Sequence, residues 1–309
     1  MNKKIIVFGS FVADLMARTP HLPSPGETVK GSSFTIGPGG KGFNQAVAAY
    51  KAGADVTIVT KLGRDPFADL ALETLDTLGL DTSHILRTDT SKTGAALICV
   101  DENSGQNEIV VVPGACAEIT AEEVEALRSL FSHGDILLIQ LETNPDAIWQ
   151  AICMAKEEEM SVILNPAPVQ AIPEEILPLI DVVTPNEVEA EALVGFPIQC
   201  VDDAARAACS LLARGVSAVV ITLGARGAYI HDGNSGAYLP ARKVPAIDTT
   251  GAGDAFTGGL AAALAEGASL GEAAVFATAL ASISVQRLGT TPAMPTRAEI
   301  DALLDVTTD

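Results

Sequence analysis

Six apolar runs recur along the chain: KIIVFG, DVTIVTKLG, DILLIQLE, SVILNPAP, DVVTPNE and AVVITLGARG. They are continuously apolar and do not alternate, which predicts strands buried on both faces. Between them, EEVEALRSLFSHG, AIWQAICMAKEEE and DDAARAACSLLARG carry apolar residues at helical spacing with charged residues opposite, as helices that cover a sheet do. This alternation predicts an α/β fold, a mainly parallel central sheet covered by helices on both faces. The run from Ile5 to Ala13 reads as one buried first strand, with Asp14 just past it. Its basic preface resembles the start of a secretory leader, but Asp14 interrupts the run and no small-residue cleavage pattern follows.

Two stretches break the rhythm. Residues 15–36 and 92–113 contain no helical pattern, and ENSGQN within the second reads as a turn between two strands. Together they predict a small antiparallel sheet standing off the core as a lid. No tandem repeat, low-complexity tract or long linker interrupts the chain, so residues 1–309 are expected to form a single α/β domain.

Charge narrows the partners. The 309 residues include 19 Lys and Arg against 39 Asp and Glu, a formal charge of −20. That balance repels nucleic acid and anionic membrane surfaces and favours small substrates. Cys99, Cys116, Cys153, Cys200 and Cys209 are scattered, odd in number and without a CxxC pair, which indicates neither a disulfide framework nor a zinc site and suits a reducing cytoplasm. The apolar stretch from Ala273 to Val285 falls short of the roughly 18 residues a membrane span needs.

Four motifs carry candidate chemistry. In DTTGAGDAFTGG, residues 248–259, a loop after an expected strand VPAI leads into a helix. The N–H groups of Gly251, Ala252 and Gly253 would converge beside the Asp254 carboxylate and place an anion hole next to a base. No GxxxxGK[ST] is present, so no P-loop lysine is expected there to hold phosphates. In IGPGGKGFNQA, Gly37, Gly39 and Gly42 satisfy GxGxxG, but the motif does not follow the first core strand as a dinucleotide fingerprint should. A glycine turn and helix start presenting Lys41 and Asn44 suits the hydroxyls of a small polar ligand equally well, and a tight turn without a ligand remains open. TPNEVEAE holds a capping box, Asn186 with Glu189, which suffices by itself as a structural role; its surplus of acids, Glu187, Glu189 and Glu191, is the alternative, suited to a hydrated Mg²⁺ held through water. TLGARG ends a strand in a loop that can lie against a purine or phosphate, or serve only as a turn. Glu142, at the end of DILLIQLE, falls on the carboxyl edge where open α/β sheets keep their ligands, and Asp14 would share that edge.

Taken in order, GGKGFNQA, NPAP, TPNEVEAE, TLGARG and DTTGAGDAF resemble the ribokinase-like, phosphofructokinase B type family of carbohydrate kinases, over essentially the whole chain. The resemblance implies an ATP-dependent kinase transferring the γ-phosphoryl group to the 5-hydroxyl of a pentose, with Mg²⁺ and an activating K⁺. Fructose and nucleoside kinases of the same family, and a sugar-sensing regulator, are the alternatives. It assigns Asp254 as base and Gly251, Ala252 and Gly253 as anion hole. It gives Asn186, Thr222, Leu223, Gly224, Ala225, Arg226, Gly227, Gly253 and Thr278 to ATP, and Glu189 to Mg²⁺ through water. Val12, Asp14, Gly40, Lys41, Gly42, Phe43, Asn44, Glu142 and Asp254 fall to the sugar. Asp248, Thr250, Ser284, Arg287, Gly289 and Ala293 fall at the K⁺ positions, and a homodimer paired through the lid is implied.

Three residues depart from the ribokinase pattern: Val12 stands where Asn is usual, Phe43 where a small Ala is usual, and Cys116 replaces the Asn of a GAN triplet. Deoxyribokinases, which look very similar, carry an apolar residue at the Val12 position, which makes 2-deoxyribose a candidate beside ribose.

Overall fold

The computed structural model describes residues 3–305. The chain begins with β1 (Lys4–Phe8), β2 (Val12–Thr19), β3 (Ser33–Gly39), α1 (Lys41–Lys51), β4 (Asp55–Leu62), α2 (Pro66–Leu78), β5 (Ile85–Arg87), β6 (Thr93–Asp101) and β7 (Asn107–Gly114). It continues through α3 (Ala121–Ala126), α4 (Arg128–Phe131), β8 (Ile136–Gln140), α5 (Pro145–Glu157), β9 (Ser161–Asn165), β10 (Val182–Val183), α6 (Glu187–Val194) and α7 (Val201–Ala213). The last elements are β11 (Ala218–Thr222), β12 (Gly227–His231), β13 (Gly236–Pro240), α8 (Ala252–Ala265), α9 (Leu270–Ser284) and α10 (Arg297–Asp305).

Nine strands form the central sheet in the order β13-β12-β11-β10-β9-β8-β1-β4-β5, parallel from β11 to β5 and antiparallel only at the β11–β12–β13 edge. Alternate side chains of β1 feed opposite faces, as the two-residue period of a strand requires. Ile5 and Val7 pack with α1, α2, α8, α9 and α10, while Ile6 and Phe8 pack with α3 to α7. Strand order reverses about β1, with β4 on one side and β8 on the other, so the carboxyl ends of β1 and β8 flank the crevice where such sheets bind ligands.

A second sheet, ordered β3-β2-β6-β7, is built from the two helix-free stretches, extended by a few residues to 12–39 and 93–114. Its β2–β3 and β6–β7 pairings are antiparallel, and its central β2–β6 pair is parallel, because chain between them passes through the core sheet. Two expectations are corrected here. Ile5–Ala13 is not one strand: the chain leaves the core after Phe8, and Val12 and Asp14 belong to β2. The apolar pattern runs on because the intervening Phe11 is itself fully buried. Residues 244–247 are not a strand either; Pro245 has no N–H for a ladder and Ile247 is 63% exposed. No helix among the described residues is long and apolar enough to cross a membrane.

Candidate active site

The starts of α1 and α8 meet beneath the small sheet. Asp254 lies in the first turn of α8, after Gly251 at its N-cap, and is buried. Its Oδ2 accepts a hydrogen bond from Asn44 Nδ2 at 3.0 Å and its Oδ1 one from Gln45 Nε2 at 2.9 Å. Burial pushes the carboxyl toward higher pKa, opposed by the Lys41 charge and by these two amides. Lys41 is held as a cation: burial alone would lower its pKa, but the carboxylates of Asp254, Glu142 and Glu189 raise it above the usual lysine value. The tight entry to α1 depends on Gly40, at φ 94°, where a Cβ would come within 2.8 Å of Val12 N and 2.9 Å of the Ser10 carbonyl.

Glu142, just past β8, ties three segments together. Its Oε2 accepts the Lys41 backbone N–H at 2.8 Å and a short bond from the Ser10 hydroxyl. Asp14, on β2, has its pKa raised to about 7, first by burial and then by the charges of Glu142 and Asp254. Hydroxyl donors from a polar ligand would favour its ionised form and bring that value back down. Asp14 also borders a cleft of about 180 Å³ between β3 and the 289–292 loop, with Met16, Ile36, Pro38, Thr290 and Pro292.

A second cavity of about 180 Å³ is lined by Asp254 with Lys41, Asn165, Thr184, Asn186, Glu189, Thr222, Thr249 and Gly251 to Gly253, among others. Sequence reasoning expected no lysine here; the structure places Lys41 in this wall, because α1 begins opposite α8. Asn186 and Glu189 form the expected capping box of α6. Glu189 Oε2 accepts Asn186 N–H at 2.8 Å, and Asn186 Oδ1 accepts Glu189 N–H at 2.9 Å. Asn186 also pairs with Thr222 in an isolated parallel bridge, which joins the α6 start to the loop after β11. In that loop Leu223 is buried, residues 224–226 make one 3₁₀ turn and Gly227 opens β12. The Arg226 guanidinium bonds Glu187 and the Gln199 carbonyl. Thr278, in α9, donates to Ala274 O and does not line the cavity. Of the three expected anion-hole donors, Ala252 N–H is engaged by Thr249 O at 3.2 Å.

Asp248 organises the neighbouring loop. It accepts N–H groups of Thr250 at 2.9 Å and Gly289 at 3.0 Å, while its own N–H bonds Val285 O. Ser284, the preceding residue, has a buried hydroxyl oxygen without a partner among the described residues, whereas Arg287 is engaged by Glu299 and Ala293 N–H by Thr290 O.

The three unusual residues are all interior. Phe43 is fully buried and stacks edge-on against Phe11 at 5.0 Å, so its side chain belongs to the core and not to the cleft wall. Cys116 lies beneath the start of β2, accepting from Phe11 N–H at 3.3 Å. Val12 packs with Ala96 and Ile98 on the face of the small sheet that Asp14 shares, and its register partners are Gly39 and Gly94. Sequence reasoning missed Ser10, Gln45, Gln140 and Asn165. The available signal was a polar residue inside an apolar strand, at Gln140 in β8 and Asn165 in β9.

An acid held between two amides, with a half-buried ammonium and a helix start beside it, is equipped to take a proton from an alcohol while negative charge is neutralised alongside. That is the work of a phosphotransferase acting on a hydroxyl. The chain belongs to the pfkB family of carbohydrate kinases, whose family model matches residues 2–297. It is 39% identical to a ribokinase of Haemophilus influenzae over 97% of either chain, and 33% identical to a deoxyribokinase of Salmonella typhi over 98% of this chain and 99% of that one. The structure of Arabidopsis thaliana ribokinase complexed with ribose and ATP superposes with a TM-score of 0.89, at 33% identity, covering 98% of this chain and 99% of that one.

Proposed function

We propose that the enzyme transfers the γ-phosphoryl group of ATP to the 5-hydroxyl of a pentose, with 2-deoxyribose ahead of ribose. The observation that carries this reading is Asp254, which lines the cavity with Lys41, Asn186 and Glu189 and lies near enough to Asp14 for its charge to raise the Asp14 pKa. The sugar lies under the small sheet, which acts as a lid, against Asp14, Gly40, Gly42, Asn44 and Glu142. Asp254 takes the proton of the attacking hydroxyl. Lys41 and the N-terminal amides of α8, chiefly those of Gly251 and Gly253, meet the charge of the transferring group. The loop from Thr222 to Gly227, with Asn186, receives the nucleotide.

Among the described residues no cluster of three or more His, Cys, Asp or Glu could hold a metal by itself. That fits Mg²⁺, which keeps its waters and binds chiefly through substrate phosphates, with Glu189 anchoring a water. Bound there, Mg²⁺ would neutralise phosphate charge. The orphaned Ser284 hydroxyl and the loop folded around Asp248 fit a monovalent cation, held by Asp248, Ser284 and carbonyls near Thr250, Arg287, Gly289 and Ala293. K⁺ there would steady the loop that leads into α8.

The preference for 2-deoxyribose rests on Val12. Neither Val12 nor its neighbours Gly39 and Gly94 offers a side-chain hydrogen bond. A ribose hydroxyl buried there without a partner loses about 1–3 kcal/mol. The test is ATP turnover on ribose, 2-deoxyribose, fructose and adenosine with K⁺ present. The expected result is pentose turnover with the higher kcat/KM on 2-deoxyribose. Asp254→Asn is expected to lower kcat about 10²–10⁴-fold while ADP still binds. Failure on both pentoses, or wild-type turnover in the variant, overturns the reading.

A further inference from the structure

The cavity wall behind Asp254 is a chain of buried amides whose polarity is set from one end. Thr184 O is a carbonyl and can only accept, so Asn165 turns its Nδ2 toward it, at 2.8 Å. Asn165 Oδ1 is thereby presented to Gln45, which must meet it with a donor, Nε2 at 3.0 Å. The second N–H of that nitrogen goes to Asp254 Oδ1 at 2.9 Å. Gln140, at the end of β8, closes the chain by donating Nε2 to Gln45 Oε1 at 2.7 Å. Gln45 and Gln140 are both fully buried. Gln140 makes its bond while its own Oε1 stays buried with no partner among the described residues. A buried orphan of that kind is a stability loss, tolerated where the group serves something other than folding.

We propose that Gln45, locked by Gln140 and Asn165, is a positioning residue that holds the Asp254 carboxylate in one rotation and in its ionised form for proton removal. The assignment builds on the kinase reading above and goes beyond it by naming what fixes the base. Each Asp254 oxygen receives one amide, Gln45 on Oδ1 and Asn44 on Oδ2. The Asn44 bond is the less constrained, since among the described residues the Asn44 amide is braced only by the Thr291 hydroxyl at 3.4 Å. The charges facing Asp254 are Lys41 from α1, Glu142 beyond β8, Asp14 from β2 and Glu189 from α6. Lys41 favours the carboxylate and the three acids oppose it, so a fixed donor on Oδ1 weighs on its ionisation.

Gln45→Met keeps the side chain's length and removes its donors. The expected result is a fall in kcat of about 10-fold or more, with KM for ATP within about twofold of wild type. The acidic limb of kcat/KM for the sugar moves up by about one pH unit. A folded variant, shown by thermal melting, that keeps the wild-type limb and kcat overturns the proposal, because loss of packing alone lowers the melting temperature without moving the limb. If Gln45→Met does not fold, Gln140→Met decides. It leaves the bond to Asp254 but unlocks Gln45, and is expected to move the limb the same way by less; an unmoved limb overturns the proposal. Both variants are compared with wild type on whichever sugar the wild type phosphorylates. Failure on pentoses therefore counts against the substrate reading alone.

Discussion

Asp14 holds its proton to a pH of about 7, because burial and the nearby Glu142 and Asp254 charges disfavour its ionised form. The unfolded chain releases that proton near the ordinary value of 3.8. Between these values the folded protein binds one proton more than the unfolded chain. The stability contribution is therefore complete below the unfolded value and is lost as pH rises through about 7. Asp14→Asn removes the titration. The ligand-free variant is expected to melt higher than wild type at pH 8, with the difference shrinking toward pH 4, while its sugar affinity falls about 10–100-fold from loss of a charged hydrogen bond. Melting curves and sugar titrations across pH check this, and parallel curves for the two proteins would sink it. The sequence marked Asp14 as an acid at a ligand-bearing edge, yet its strand was hidden because the buried Phe11 carries the apolar pattern of β1 without a break into β2.

At the level of elements, α1 and α8 must touch backbone to backbone for Asn44 and Gln45 to reach Asp254. Gly258 permits it: a Cβ there would stand 2.6 Å from both Ala48 Cβ and the Gln45 carbonyl. Gly258→Ala is expected to destabilise by about 1–3 kcal/mol and to depress kcat by moving α1 away from Asp254. Gly259→Ala, whose Cβ would meet the flexible end of Leu280 at 2.9 Å, should be milder on both counts. Denaturant unfolding beside kinetics separates them; equal losses would contradict the role given to this crossing. The core elements were legible because continuous apolar strands and amphipathic helices announce themselves by period. The amide chain was not. Gln45, Gln140 and Asn165 lie on three elements far apart in sequence, and nothing local reveals that their side chains converge. Lys41 was assigned to the sugar alone, since only the α1–α8 crossing turns it toward the cavity shared with Asn186 and Glu189.

Over the whole molecule, the small sheet buries Val12, Ala96 and Ile98 on one face and leaves its edges apolar and exposed. Its edge strands expose Phe34 and Ile36 on β3 and Ile109 to Val112 on β7. Open strand edges with apolar side chains invite pairing with another chain. The expected state is a homodimer joined through the lids, and Val110→Lys combined with Val112→Lys is expected to run as a monomer by light scattering. A wild-type monomer at micromolar concentration would remove the pairing. The two-sheet layout also divides the gene unevenly. Val12, Asp14, Gly40, Asn44 and Glu142, and both strand pairs of the lid, lie in the first 142 residues, whereas Asn186, Glu189, the 222–227 loop and Asp254 follow them. On the proposed reading, most acceptor contacts can therefore drift by mutation in one stretch of the gene, but Lys41 also faces the second cavity and residues 289–292 close the Asp14 cleft from the far end of the chain, so a crossover between residues 143 and 160 would carry over only part of a sugar pocket.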